Sequence, residues 1–386
     1  MVAVPVTIGR RPAPAPAVPT PSAVPTVPTA PNAPSEPLTD RFGRVHRDLR
    51  ISLTDRCSLR CTYCMPEQGN EWLSRSSVLT TDEIVTVARA AAAAGITTFR
   101  LTGGEPLLRP DVVDVVARLA ALRGPDGAGA QVAMTTNGIR LPEVLDALVA
   151  AGLKRLNISL DTLDREKFAA LTRRDRLDDV LRGVAAAQRS GLRPLKLNAV
   201  AMRGVNDGEL VDLVEFAVAH DAQLRFIEQM PLDAGHTWDR SAMVTREEIL
   251  ASLERRWTLR PIPGRGGAPA ERWRLLEGRG EAARDTGHTV GVIASVTAPF
   301  CGACDRLRLT ADGQLRSCLF ATDETDLVGV LRGTVGGDGS SRTPDGERQA
   351  AVDARLRVCL AGKRAGHGID DPGFLQPARG MNAIGG

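Results

Sequence analysis

Cys57-Ser58-Leu59-Arg60-Cys61-Thr62-Tyr63-Cys64 places three thiols within eight residues, spaced C-x3-C-x2-C. Just before it, Arg50-Ile51-Ser52-Leu53 alternates polar and apolar residues as a short strand does, so the cysteines follow a strand's carboxyl end. Three thiolates can take three corners of an iron–sulfur cube and leave the fourth iron open to a small molecule. The spacing differs from the C-x2-C-x2-C-x3-C-P run of ferredoxins, which supplies four cysteines in one stretch. Zinc is the first competing reading, but structural zinc sites pair two separate C-x2–4-C hooks, and here the middle cysteine belongs to both gaps. A C-x-x-C redox pair at Cys61 and Cys64 is the second, and Cys57 together with the preceding strand argues against it.

Outward from this stretch the chain alternates strand and helix. A first strand is expected over Arg47 to Leu53, and Thr80-Thr81-Asp82-Glu83 reads as a capping box opening a helix that runs to Gly95. Further strands are expected at 98–101, 131–134, 156–161, 195–200 and 224–227, with helices opening at Pro110-Asp111 and over 141–151, 177–190 and 209–220. Repeated βα units of this length imply an α/β fold with parallel strands and helices outside. Six units fit a partial (β/α)6 TIM-type barrel better than a doubly wound sheet. Polar motifs fall at successive strand ends: the cysteines, then Gly103-Gly104-Glu105-Pro106, Thr135-Thr136-Asn137-Gly138 and Ser159-Leu160-Asp161. Such folds place their chemistry there. Gly103 and Gly104 would let backbone approach a ligand closely, with Glu105 accepting from a cation, unless the segment is only a turn before Pro106.

Composition sets the bounds. The chain has 386 residues, 43% hydrophobic and 3% aromatic, with a formal net charge of +3, too small for a general nucleic-acid surface. Seven cysteines without a secretion signal do not read as an extracellular disulfide framework. No apolar run approaches the roughly 20 residues of a membrane span, and a reducing cytoplasm fits. Residues 1–38, rich in Pro, Ala, Val and Thr as in Pro12-Ala13-Pro14-Ala15-Pro16, read as a disordered or polyproline-like tail. Two regions are expected after it: the partial barrel over 39–245 and a C-terminal cluster-binding extension over 246–386.

That extension carries Cys301-Gly302-Ala303-Cys304 and then Cys318, a C-x2-C-x13-C set that again lacks a fourth cysteine at usable spacing. Cys359 sits among apolar neighbours and reads as an inert, partly buried thiol. Zinc stays open for the second set, with His288 or His367 as a fourth ligand. Inside it, Arg306 and Arg308 alternate along a short strand and share one face, a good anion site beside a cluster or else a solvated strand face. Gly333 to Gly346 reads as a flexible loop or insertion without an assigned role.

C-x3-C-x2-C after a first strand, with an aromatic before the last cysteine, resembles the radical S-adenosylmethionine enzymes. Three regions narrow this to the GTP 3',8-cyclase family of molybdenum cofactor biosynthesis. They are Leu49 to Arg56 running into the cysteines with Tyr63-Cys64-Met65-Pro66, the second cysteine set with its arginines, and the tail Met381-Asn382-Ala383-Ile384-Gly385-Gly386. The resemblance covers about residue 40 to the end. It implies two [4Fe–4S] clusters, held by Cys57, Cys61 and Cys64 and by Cys301, Cys304 and Cys318. It also implies S-adenosylmethionine at Tyr63, Gly104, Ser159 and Met230, with its ammonium near Glu105, and GTP at Arg50, Arg100, Thr135, Lys196, Arg306 and Arg308. In that family a 5'-deoxyadenosyl radical takes hydrogen from C3' of GTP, and C3' then bonds to C8, giving (8S)-3',8-cyclo-7,8-dihydroguanosine 5'-triphosphate. The cyclic pyranopterin monophosphate synthase receives this product. The Gly-Gly tail would thread into the site, Asp305 departs from the family's commoner asparagine, a homodimer is admitted, and the reductant is not identified. A radical enzyme acting on a peptide and a non-catalytic iron–sulfur electron-transfer protein are the alternatives.

Overall fold

Short strands with buried apolar residues, alternating with helices, build one continuous sheet. The computed structural model describes residues 36–69, 71–233, 235–333 and 344–385. Six parallel strands stand side by side in chain order: β1 (Asp48–Ser52), β2 (Thr98–Thr102), β3 (Gln131–Thr136), β4 (Leu153–Ser159), β5 (Leu195–Ala201) and β6 (Ala222–Glu228). The returning helices are α1 (Thr81–Ala93), α2 (Val112–Ala120), α3 (Leu141–Ala150), α4 (Arg165–Thr172), α5 (Leu177–Arg189) and α6 (Leu210–Ala219). The expected capping box is present: Glu83 N–H donates to Thr80 Oγ1 at 3.2 Å, and Thr80 N–H donates to Glu83 Oε2 at 2.7 Å. Gly95, at φ +92°, takes the left-handed conformation that ends this unit. In α2 the buried residues Val112, Val115, Val116 and Leu119 follow helical spacing, and each contributes about 1.5–3 kcal/mol by burial.

The C-terminal region does more than extend the barrel. After α7 (Arg246–Glu254) come β7 (Thr258–Ile262), β8 (Glu271–Glu277), β9 (Arg284–Ile293), β10 (Arg306–Leu309), β11 (Gln314–Arg316) and β12 (Thr325–Asp326). Strand β9 pairs parallel with β6, and β10 pairs parallel with β1, so this region adds a strand to each edge of the six. The full order is β12-β11-β10-β1-β2-β3-β4-β5-β6-β9-β8-β7, an open sheet and therefore a partial barrel. Helices α8 (Val328–Arg332), α9 (Asp345–Ala361) and α10 (Met381–Ile384) complete it.

The proline-rich tail lies outside the described residues up to position 35, as does the loop over 334–343. Leu38, the last residue assigned to that tail, is fully buried and its N–H donates to Ala94 O at 3.1 Å, so ordered packing begins before position 39. Among the described residues no helix is long and apolar enough to cross a membrane.

Candidate active site

The first cysteine set occupies the loop after β1 and faces a cavity of about 610 Å³ inside the barrel. Two glycines at the end of β2 lock that loop in place. Gly104 N–H donates to Thr54 O at 2.7 Å, and Glu105 N–H donates to Arg56 O at 2.7 Å. A Cβ on Gly104 would lie 2.3 Å from Arg56 O, and one on Gly103, at φ +141°, 2.4 Å from Thr54 O. The close approach these glycines permit is thus first of all backbone to backbone. On its other side the loop docks on the end of α4, where Arg60 N–H and Thr62 N–H donate to Thr172 O (2.9 Å) and Leu171 O (3.0 Å).

Glu105 is tied into the scaffold of the site. It is 1% exposed, and its carboxylate accepts from Leu107 N–H (2.9 Å), Thr136 Oγ1 (2.7 Å) and Asn137 N–H (2.7 Å). It ties the end of β2 to the end of β3. Burial pushes its pKa up, against those three donors. Glu228 does the same work after β6, accepting from Arg246, Val296 and Thr297 N–H at 2.8–2.9 Å. Asp161, at the end of β4, accepts from Tyr63 Oη (2.8 Å) and Val200 N–H (2.8 Å), so Tyr63 is fixed by its phenol beside the cysteines. Burial raises Asp161 to about 6.

All seven cysteines are free thiols. Burial pushes Cys57 up to about 11 and Cys64 up to about 12, and Cys61 also lies well above its ordinary value. Leu59 N–H (3.4 Å) and Asn137 Nδ2 (3.8 Å) donate to Cys57 Sγ, and Asn382 N–H donates to Cys64. Three free thiols facing one interior space, with donors already aimed at two sulfurs, fit the thiolate set of an iron–sulfur cube. Among the described residues no three His, Cys, Asp or Glu side chains converge on a single-ion position.

The cavity wall is cationic. Eight Arg and Lys side chains line it against the carboxylates of Asp48, Asp161 and Asp305. Strand register explains the convergence: Arg308 of β10 stands beside Arg50 of β1, Arg50 beside Arg100 of β2, and Arg100 beside Ala133 of β3, which neighbours Arg155 of β4. Four arginines therefore form one row across five strands. Lys196 of β5 and Arg225 of β6 continue the wall. Arg50 Nε, Arg100 Nη1 and Arg155 Nε are buried without a hydrogen-bond partner, as are Asn157 Oδ1 and Asn198 Oδ1. Burial lowers Lys196 to about 7 and Arg225 to about 10, with the neighbouring arginines adding to both effects. Asp48 Oδ1 is likewise without a partner, so the wall offers donors suited to an anion and, beside them, acceptors suited to a ligand's N–H or O–H groups.

The second cysteine set closes one side of the same space, with Cys301, Cys304 and Cys318 all on the cavity lining. Arg306 and Arg308 face it as the alternation predicts; Arg306 also lies over the Phe300 ring at 4.5 Å. Asp305 forms no ion pair among the described residues, and burial together with Asp48 pushes its carboxyl up, which lessens its negative charge. His367 is not a free metal ligand: Nε2–H donates to Ser295 O at 2.9 Å, and Nδ1 accepts from Ile369 N–H at 3.1 Å. Cys359 is 6% exposed within α9, consistent with an inert thiol. The C-terminal segment reaches the first set as well. Asn382 Nδ2 donates to Asp55 O at 3.0 Å, Arg308 donates to Gly385 O, and Met381 lines the cavity; Gly386 lies outside the described residues.

Two family models match consecutive parts of the chain, the Radical SAM superfamily over residues 51–217 and Molybdenum Cofactor Synthesis C over residues 222–340. The GTP 3',8-cyclase of Streptomyces coelicolor is 55% identical over 352 residues, covering 90% of this chain and 96% of its own. That of Corynebacterium glutamicum is 50% identical over 355 residues, 90% of this chain and 89% of its own. The chain belongs to the GTP 3',8-cyclase family. The barrel of this family member also resembles the crystal structure of Streptococcus suis SuiB bound to the precursor peptide SuiA, with a TM-score of 0.52 and 13% identity over 84% of this chain and 69% of that one. At that identity the likeness concerns the fold alone.

Within the family frame, the structure brings Arg50, Arg100, Thr135, Lys196, Arg306 and Arg308 to the cavity wall, together with Tyr63, Gly104, Ser159, Met230 and both cysteine sets. Glu105, the remaining residue assigned to S-adenosylmethionine, is not on that wall. Reading the sequence missed Arg155, Arg225, Asn157 and Asn198, and it missed Lys363. Three of them had a signal: Arg155 and Asn157 alternate with Ser159 on β4, and Asn198 with Lys196 on β5, on faces already assigned inward, whereas β6 carried no assigned face to place Arg225. Lys363 follows a helix and no local pattern marks it.

Proposed function

We propose that this protein cyclises GTP between C3' and C8, with one [4Fe–4S] cluster at Cys57, Cys61 and Cys64 and a second at Cys301, Cys304 and Cys318. The observation that carries this reading is the row of buried, unsatisfied arginine N–H groups between two free thiol triads. A polyanionic substrate supplies what the wall lacks, and a cavity of about 610 Å³ lies within the usual range of small-molecule sites. When bound, the first cluster and S-adenosylmethionine supply a 5'-deoxyadenosyl radical.

The chain's own residues do the rest. Arg50, Arg100, Arg155, Lys196 and Arg225 hold the nucleotide's phosphates by charge-assisted hydrogen bonds, which favour a single orientation. Arg306 and Arg308 do so beside the second triad. Tyr63, Gly104, Ser159 and Met230 line the cofactor's side, and Glu105 keeps the loops after β2 and β3 in register for them. Buried Leu59, Met65 and Leu107 under the cysteine loop limit water around the reacting atoms. The product would pass to the cyclic pyranopterin monophosphate synthase, in the cytoplasm. The cationic wall gives a peptide substrate no corresponding support.

The test is an anaerobic incubation of reconstituted protein with S-adenosylmethionine, dithionite and a panel of nucleoside triphosphates, followed by mass spectrometry. GTP-dependent 5'-deoxyadenosine together with a cyclised GTP product is expected. Deoxyadenosine formed without any nucleotide dependence would remove GTP as the substrate.

A further inference from the structure

A lysine outside both cysteine motifs joins the two arms of the second one. Lys363 follows α9 and is 3% exposed. Its ammonium donates to Arg306 O at 2.7 Å, to Ser317 O at 2.7 Å and to Cys304 Sγ at 3.8 Å. Arg306 lies two residues after Cys304, and Ser317 immediately precedes Cys318. One ammonium therefore spans the gap between the strand that leaves Cys304 and the strand that arrives at Cys318, and it does so beside a sulfur.

The setting argues for more than packing. Arg44 braces the same segment from the other side, donating from Nη1 to Cys301 O (2.7 Å) and Ala365 O (3.1 Å), with its own charge paired to Asp40 at 2.6 Å. Among the described residues Lys363 forms no ion pair with a carboxylate. A buried ammonium that touches a cysteine sulfur and is otherwise held by two carbonyl oxygens is matched to a site that becomes negative when it is loaded.

We propose that Lys363 is the positioning residue of the second cluster: it fixes the separation of the Cys304 and Cys318 arms, and its N–H···S contact favours the cluster's reduced form. This rests on reading the second triad as a cluster site. The step concerned is one electron entering the cluster from an external reductant, and the fixed ammonium stabilises the negative charge thereby added.

The experiment uses the full chain, reconstituted anaerobically, and reads potentials rather than turnover. Iron, sulfide and zinc are first assayed in the unaltered protein; iron for one cube only, or zinc in the second triad, defeats the underlying reading and not the role of Lys363. Lys363→Met and Lys363→Arg are then compared in a background whose first triad is replaced by serine. The second cluster is titrated with dithionite and followed by electron paramagnetic resonance. In Lys363→Met the reduction equilibrium is expected to fall at least tenfold, about 59 mV for a one-electron couple, with Lys363→Arg restoring it. Loss of the cluster from Lys363→Met with unchanged circular dichroism, rescued by Lys363→Arg, also supports positioning. A filled cluster titrating as in the unaltered protein overturns the proposal. So does a Lys363→Met chain that loses its fold and is not rescued by arginine, since Lys363 would then be a general core residue.

Discussion

Lys196→Met is expected to make the nucleotide-free protein more stable and its binding of GTP weaker. Lys196 is 9% exposed on β5, and burial, then Arg225, Arg100 and Arg155, depress it from 10.5 to about 7. At about 1.4 kcal/mol per tenfold change, that depression corresponds to roughly 4 kcal/mol held against folding at neutral pH. An apolar side chain of similar length recovers only part, since buried charges replaced by apolar residues return about 1–4 kcal/mol. We therefore expect about 2 kcal/mol of added stability in cluster-loaded, nucleotide-free protein. The sign of the pH dependence follows from the same shift. Between about pH 7 and 10.5 the unfolded chain keeps this proton and the native chain does not, so stability rises with pH through that window. Lys196→Met loses this component of the slope. Binding of GTP moves the other way, because a charge-assisted hydrogen bond of about 1.5–3 kcal/mol is removed, a weakening of roughly 10- to 150-fold. Thermal melts at pH 7 and pH 9, with and without GTP, together with calorimetric titration, measure all three effects. A less stable nucleotide-free variant with unaltered pH slope would refute the claim that Lys196 is held in the cavity at a cost that the substrate offsets.

Calorimetric titration of GTP near pH 7.5 in buffers of different ionisation heat should show net proton uptake, as phosphate binding returns Lys196 to its charged form; uptake absent from Lys196→Met identifies the group. Gly104→Ala puts a methyl 2.3 Å from Arg56 O and 2.5 Å from Asp55 O, an overpacking of about 1–3 kcal/mol, and should lower iron retention at the first triad while the second stays filled. Arg155→Ala and Arg225→Ala should each raise the KM for GTP, by roughly 10-fold or more, with S-adenosylmethionine binding little changed; equal loss of both ligands would point instead to a collapsed barrel.

Much of the site was legible because its signals are local. The C-x3-C-x2-C and C-x2-C-x13-C spacings, the Thr80–Glu83 capping box and the alternation of Arg306 with Arg308 need only neighbours in the chain. Arg155 escaped because β4 starts at Leu153, three residues before the expected strand, directly after the turn at Gly152, whose φ is +105°. Its alternation with Asn157 and Ser159 was cut off at the wrong boundary. Arg225 fell inside an expected strand, but an inward polar residue and a solvated one carry the same period of two. The partners of Glu105 could not be read locally, because Thr136 and Asn137 belong to the next βα unit.

The order of residues along the chain by itself determined which groups could bind metal, the six parallel strands with most of the helices between them, and the family. Only the tertiary structure decided what stands next to what. Pairing of β10 with β1 sets Arg308 beside Arg50, and the return of the chain after α9 puts Lys363 between two arms of a motif it does not belong to. The physical reason is that strand pairing and burial are settled by the whole sheet: β10 has a place only because the edge of β1 is left open, and nothing within a few residues of either strand records that vacancy.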